Sequence, residues 1–371
     1  MKKLLILFLL VTFGCTKQTN LDDPIQFALS ANTEKIQRVI DNLEAHEIQI
    51  MVTDSEGNDF SFQVDANNYF YPASSVKFPV AILALEKANQ IPEIDSETLF
   101  QIEGDSIQTT IRKEIQKIFA VSDNEAYNRL FEFLGQDEID LKLDAKDLYS
   151  QRISHRLSTD DQAYYISKPI TFIKNDSILY QQSLKRNLPI FSINLEKIHK
   201  GKGFYRNDSL IEKPMDFSKK NYLPITTLHE LMKRLQFPEK HNASEQFLLS
   251  NDDRKFLLET MYQTPKQQGF QDAEYYDSYV KFFMFGDSKQ PIPDHIKIYN
   301  KVGYAYGYLT DCAHIVDTKH AVSFTITATI HVNKNQIFND DTYEYDSIGI
   351  PFLAELGRQI HQFYIKKQQN N

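Results

Sequence analysis

Tyr71-Pro72-Ala73-Ser74-Ser75-Val76-Lys77-Phe78-Pro79-Val80-Ala81-Ile82-Leu83-Ala84-Leu85-Glu86 begins with turn residues and continues as an almost unbroken apolar run. The spacing predicts a helix from about Ser74 to Asn89, buried on most sides. Ser74 and Lys77 stand three apart, so on a helix they share one face. A serine hydroxyl is a weak nucleophile until a neighbour takes its proton. A lysine one turn away can do so if desolvation or a nearby cation lowers its pKa. Ser-x-x-Lys also recurs by chance, so the pair gains meaning only from what accompanies it. Pro79 falls in the early turns and removes one backbone donor, so burial rather than propensity is expected to hold this helix.

Outward from that stretch, the chain has 371 residues, 42% hydrophobic and 25% charged, enough for one large domain or two intimate ones. The net charge of -9 gives no electrostatic case for nucleic acid binding. At the N-terminus, Lys2 and Lys3 precede an apolar run from Leu4 to Phe13, then Gly14-Cys15 and a polar stretch. That run is too short to span a bilayer and reads as an export signal. It resembles a bacterial lipoprotein signal, which implies lipidation at Cys15 and a lipid anchor in the envelope, on the periplasmic side or outer membrane. Loss of the signal removes two lysines and no acid, taking -9 to -11. Only Cys312 then remains, so no disulfide framework is expected. Cys312 lies in a strand pattern and reads as a small buried hydrophobe.

Before the central helix, residues 16–31 read as a tether, and a helix is predicted near Thr33 to Glu44. Glu47–Thr53 and Phe60–Val64 alternate around the turn-rich Asp54-Ser55-Glu56-Gly57-Asn58-Asp59, a β-hairpin signature. After it, Val121-Ser122-Asp123-Asn124 precedes a second helical pattern, and all three polar residues are good N-caps. Residues 136–223 suggest a β-rich insertion, with strands Ile170–Ile173 and Ser177–Tyr180 about an Asn175-Asp176 turn and another turn at Lys200-Gly201-Lys202-Gly203. Arg152, His155 and Arg156 read as a solvated basic helix face. Thr227-Leu228-His229-Glu230 has the spacing of a capping box, and a further helix is predicted over about Asn251 to Tyr262. Strands follow at Ile296–Val302, Leu309–Val316 and Ala321–Val332. The last alternates as an antiparallel strand with one covered face does, and Pro351 opens a final helix. The ten histidines are scattered, and no His-Glu-x-x-His occurs.

Three signals thus stand in order: Ser74-Ser75-Val76-Lys77, Ser122-Asp123-Asn124 and Lys301-Val302-Gly303. Together they resemble the Ser-x-x-Lys, Ser-Asp-Asn and Lys-Thr-Gly set of penicillin-recognising serine hydrolases. The flanks Tyr71–Glu86, Ser122–Leu134 and Tyr299–Asp317 look like class A β-lactamases and their Bacteroidetes-type relatives, and the resemblance spans about Thr33 to Tyr364 outside much of the insertion. It implies an α+β fold of the β-lactamase/transpeptidase type: a five-stranded antiparallel sheet flanked by N- and C-terminal helices, plus an inserted helical lobe. The implied division is a signal over 1–15, a tether over 16–31, an α/β lobe from 32–73 and 290–371, and a helical lobe over 74–289 with an extra insertion at about 138–222.

The resemblance also implies roles. Ser74 would be the nucleophile, Lys77 its proton acceptor, and Ser122 a relay toward the leaving nitrogen. Asn124 would bind the substrate amide, and Lys301 would depress the Lys77 pKa and attract a carboxylate. Backbone N–H groups of Ser74 and Tyr304 would form the oxyanion hole, with Gly303 admitting substrate to the strand. Expected substrates are β-lactams; the alternatives are D-alanyl-D-alanine stems of peptidoglycan or a slowly deacylating penicillin-binding sensor. No cofactor or metal is implied, and a monomer is expected. Three departures stand out. Val302 replaces a hydroxyl residue, and Thr310 lies near where many class A enzymes carry an arginine. No Glu-x-x-x-Asn loop is found for the deacylating water. Glu212 is the nearest candidate acid and Asp216 the next.

Overall fold

The computed structural model describes residues 22–159, 165–191 and 193–370. The expected export signal and Cys15 lie outside the described residues. Five antiparallel strands form the main sheet in the order Ile296–Ala305, Tyr308–Asp317, Val322–His331, Gln49–Asp54, Asp59–Phe62. One face packs on helices from both ends of the chain. Ile25, Ile36, Val39, Ile50, Val52, Phe324 and Ile326 meet Phe352, Leu353, Leu356 and Ile360 of the helix Ile350–Asn370 in one apolar core. Burial of this kind is worth about 25 cal/mol per Å² of apolar surface and dominates the folding drive.

The alternation over Val322–His331 predicts one covered face, but both are buried. The helix Ile225–Gln236 lies across the threonine face. His229 bridges it, with Nδ1 2.9 Å from Thr327 Oγ1 and Nε2 2.7 Å from Thr53 Oγ1. Polar residues can occupy a buried face when their hydroxyls find partners there. Cys312 is fully buried on that face, as expected. The expected capping box is not formed. The helix starts at Ile225 behind Pro224, and Thr227 Oγ1 donates instead to the Tyr149 carbonyl at 3.2 Å.

A second core surrounds the helix Lys77–Asn89, whose residues from Lys77 to Ala88 are all buried. It packs against Ile111–Val121 and Asn124–Leu134. Pro79 is the third residue of the α-helix, within the first turn, where N–H groups lack α-helical acceptors. The donor it lacks is therefore one the helix does not use, contrary to the expected cost.

Residues 16–31 were expected as a tether, yet Pro24–Leu29 is a helix capped by Asp23, with Ile25, Ala28 and Leu29 buried against the C-terminal helix. The predicted helix Thr33–Glu44 is two pieces, Glu34–Ile40 and Leu43–His46. The insertion is β-rich. Ile170–Lys174 and Ser177–Gln182 turn through Asn175 and Asp176, both at positive φ, and extend the small sheet of Leu99–Ile102 and Gln108–Thr109. Gly203–Arg206 pairs with Ser209–Ile211 and, in parallel, with Ile337–Phe338. Arg152, His155 and Arg156 are buried rather than solvated. Arg152 donates to the carbonyls of Lys220 and Phe191, and Arg156 Nε donates to Glu132 Oε1 at 2.7 Å. Among the described residues no helix is long and apolar enough to cross a membrane.

Candidate active site

The central helix is entered through a 3₁₀ turn, Ala73–Val76, with Ala73 held at φ 47°. A non-glycine residue in that region is strained and persists only where its surroundings enforce it. The turn separates two adjacent serines. Ser75 is buried and donates Oγ to the Pro72 carbonyl at 2.7 Å. Ser74 is only half-buried, and among the described residues its Oγ has no hydrogen-bond partner. Ser74 is therefore the hydroxyl open to a substrate.

Lys77 starts the α-helix one turn on and is fully buried. Its Nζ donates to the Ser122 carbonyl and to Asn124 Oδ1 at 2.6 Å, and lies 3.4 Å from Ser122 Oγ. Ser122 ends the helix Ile111–Val121 in the left-handed conformation, φ 56°. That conformation lets one residue offer both its carbonyl and its hydroxyl to Lys77. Asp123 then caps Asn124–Leu134 by accepting from the Ala126 N–H at 2.8 Å. Asn124 occupies the first turn, holding Lys77 with its oxygen and donating Nδ2 to Ser158 Oγ at 2.9 Å.

Lys301 reaches the same hydroxyl from the sheet. Its Nζ donates to Ser122 Oγ at 2.9 Å and to the Val302 carbonyl at 2.8 Å. One hydroxyl thus stands between two lysines. Burial first, then the Lys301 charge, holds Lys77 well below the usual lysine range. Lys301 is itself pushed down to about 7, mainly by burial; Asp311 opposes the shift and Lys281 adds to it. On the far face of that strand, Lys281 Nζ donates to Asn300 Oδ1 at 3.0 Å and Asn300 Nδ2 to Asp311 Oδ1 at 2.9 Å.

Gly303 lies where the strand crosses the Ser74 turn. A Cβ there would come 2.7 Å from the Ser75 nitrogen and 3.0 Å from the Ser74 nitrogen, and into the Pro72 carbonyl. Only glycine allows that approach, which brings the Ser74 amide beside the segment carrying Tyr304. Tyr304 is half-exposed, its ring 5.4 Å from that of Tyr345. Val302 points the other way, into the core under the terminal helices. Thr310 pairs with Gly303 across the ladder, buried, its Oγ1 donating to Thr329 Oγ1 at 3.0 Å.

The structure therefore gathers Lys77, Ser122, Asn124 and Lys301 through direct hydrogen bonds and sets the Ser74 turn against Gly303. It does not bring Glu212 to them. Glu212 is exposed just past the strand Ser209–Ile211, and among the described residues it makes no hydrogen bond or ion pair. Asp216 is exposed as well, accepting from the Ser218 N–H at 2.8 Å and lying 3.7 Å from His199. Among the described residues no carboxylate hydrogen-bonds Lys77, Ser122 or Asn124. The sequence reading missed Ser158 and the aromatic wall that leads into the Ser74 turn, where Tyr71 stacks on His155 and meets Tyr306 edge-on at 4.9 Å. No local motif marks those contacts. Potential metal ligands gather elsewhere: His295, Asp317 and His320 have donor atoms within 4.8 Å of one another at the opposite end of the same strands. There Asp317 Oδ2 already accepts from His320 at 2.6 Å and His361 at 2.8 Å.

Residues 31–364 match the family model described as the beta-lactamase enzyme family. No curated protein matches the sequence. Among solved structures, a representative of class A beta-lactamase from Bacteroides cellulosilyticus is 11% identical, with a TM-score of 0.54, over 93% of this chain and 99% of that one. A beta lactamase from Xanthomonas campestris is 13% identical at the same TM-score and coverage. One from Chitinophaga pinensis is 11% identical at 0.53, over 90% and 99%. At these identities the likeness establishes the fold.

Proposed function

Because this chain belongs to the beta-lactamase enzyme family, we propose that it is a serine hydrolase that forms an acyl-enzyme at Ser74 with β-lactams. The observation that carries this reading is Ser122 Oγ, 2.9 Å from Lys301 Nζ and 3.4 Å from Lys77 Nζ, beside a buried lysine whose neutral form is favoured. In acylation, Ser74 Oγ attacks the lactam carbonyl carbon and its proton passes to the neutral Lys77 amine. The ring C–N bond breaks, an ester forms on Ser74, and the nitrogen takes a proton through Ser122. Two backbone N–H groups, from Ser74 and Tyr304, would stabilise the oxyanion, each worth about 3 kcal/mol.

Water must then cleave the ester, and among the described residues no carboxylate hydrogen-bonds Lys77, Ser122 or Asn124 to mark the base that would activate it. The rate of that step separates a β-lactamase from a slowly deacylating penicillin-binding peptidase or sensor. Intact-mass measurement over time after mixing with benzylpenicillin separates these. An adduct of one penicillin, absent in Ser74→Ala, is the expected result, and its persistence means a slow, peptidase-like or sensor-like site. A transient adduct with loss of antibiotic means efficient turnover, driven by a base that the described residues do not place. An adduct that survives in Ser74→Ala overturns the assignment of the nucleophile.

A further inference from the structure

Beside the nucleophile turn lies a cavity of about 570 Å³ that the insertion builds and the catalytic motifs do not use. Its walls include Arg206, Lys213, Asp216, Lys220 and Tyr306. Tyr306 belongs to both places: it follows the strand that carries Lys301, and its ring meets Tyr71, three residues before Ser74, at 4.9 Å. Tyr306 thus joins the cavity wall to the aromatic residue that leads into the Ser74 turn.

Cations outnumber acids in the cavity: Arg206, Lys213 and Lys220 stand against Asp216. Asp216 is occupied by the Ser218 N–H and His199. Arg206 lies over the Phe204 ring at 5.3 Å, and among the described residues no carboxylate pairs with Arg206, Lys213 or Lys220. Lys220 is half-buried, and burial lowers its pKa with no acid beside it to raise it back. A partly desolvated ammonium with no counter-ion is costly, and a bound anion removes that cost.

We infer that this cavity is a subsite for a carboxylate on the substrate, distinct from the carboxylate that Lys301 would take, held by Lys220 with Arg206 and Lys213 at the rim. The inference rests on Ser74 being the nucleophile. Its ligand is a substrate whose acyl side chain carries an acid, either a β-lactam with a carboxylated side chain or a peptide stem with a free acidic side chain.

Carbenicillin and benzylpenicillin differ by one such carboxylate. Acylation rates measured with both should favour carbenicillin by about fivefold at low salt, and the preference should shrink in high salt. The ratio should fall toward one in Lys220→Met and decline partly in Arg206→Ala and Lys213→Ala, whose exposed sites leave folding intact. Equal rates in the unaltered protein, or a preference that survives Lys220→Met in a normally melting variant, overturns the subsite. If neither penicillin acylates, the β-lactam reading fails and the subsite is judged separately. A D-alanyl-D-alanine peptide with a free acidic side chain is then titrated against its amidated form on Ser74→Ala, followed by NMR. Tighter binding of the acidic form that depends on Lys220 supports the subsite with a peptide source; equal binding overturns it.

Discussion

Ser122 is the residue on which the two lysines converge, and their charges set its working pH. Lys77 needs to be neutral to accept the Ser74 proton, and the Lys301 charge helps to make it so. The acylation rate should therefore rise with pH as Lys77 loses its proton, below the usual lysine range, with an apparent pKa that belongs to the pair. In Lys301→Met one depressing charge is gone, so the ascending limb should move to higher pH while the rate drops. A stopped-flow pH profile reads the position of the limb independently of the rate; an unmoved limb would mean that Lys301 does not tune Lys77. At Gly303 the limit is space. Gly303→Ala forces the strand away from the nucleophile turn, and a shift near 1 Å at a reacting centre costs on the order of 100-fold. Acylation should fall by at least about tenfold and the melting temperature should drop as well, since the added Cβ meets backbone atoms rather than a side chain that can swing away.

At the scale of elements, the site depends on helix ends. Lys77 is the first residue of one α-helix, Ser122 the left-handed end of another, and Asn124 the start of a third. Asp123 fixes the third by capping it. Asp123→Ala should lower stability by about 1 kcal/mol, measured by urea unfolding, and should loosen Asn124 from Lys77. Such ends are legible in sequence where cap residues cluster, as Ser-Asp-Asn does. They are less legible where a fold supplies the geometry. Thr227 and Glu230 have capping-box spacing, yet the helix begins before them at Ile225, because Pro224 delivers the chain with a fixed φ and Thr227 is drawn to the Tyr149 carbonyl. The alternation of Val322–His331 likewise gave the strand but hid the second covering layer, because threonines whose hydroxyls find partners at His229, His314 and the Leu309 carbonyl look in sequence like a solvated face.

At the scale of the molecule, the insertion is anchored to the helical lobe by Glu132. Its buried carboxylate accepts from Arg156 Nε at 2.7 Å and the Lys168 N–H at 2.8 Å, and its carbonyl accepts from Gln182 at 3.2 Å. Arg156→Ala leaves that carboxylate buried without its cation and should cost about 3–5 kcal/mol. Replacing Arg156 and Glu132 together by methionine should restore part of the loss. Denaturant midpoints of the single and double variants give the comparison, and additive losses would show that the pair does not act as a unit. The same insertion supplies most of the wall of the cavity beside Tyr306.

The order of Ser74–Lys77, Ser122–Asn124 and Lys301–Gly303 is written in the sequence because each motif is local: a turn, a cap, a strand end. The five strands were legible for the same reason, since a period of two and turn residues act over a few positions. Tertiary structure decided what the motifs become together. It chose Ser74 over Ser75 by burying one hydroxyl, drew two lysines to one serine and depressed both by desolvation, and turned three basic residues of the insertion inward. It also left Glu212 in solvent. These outcomes depend on which distant segments exclude water from one another, and burial and charge coupling at long separation leave no local period to read.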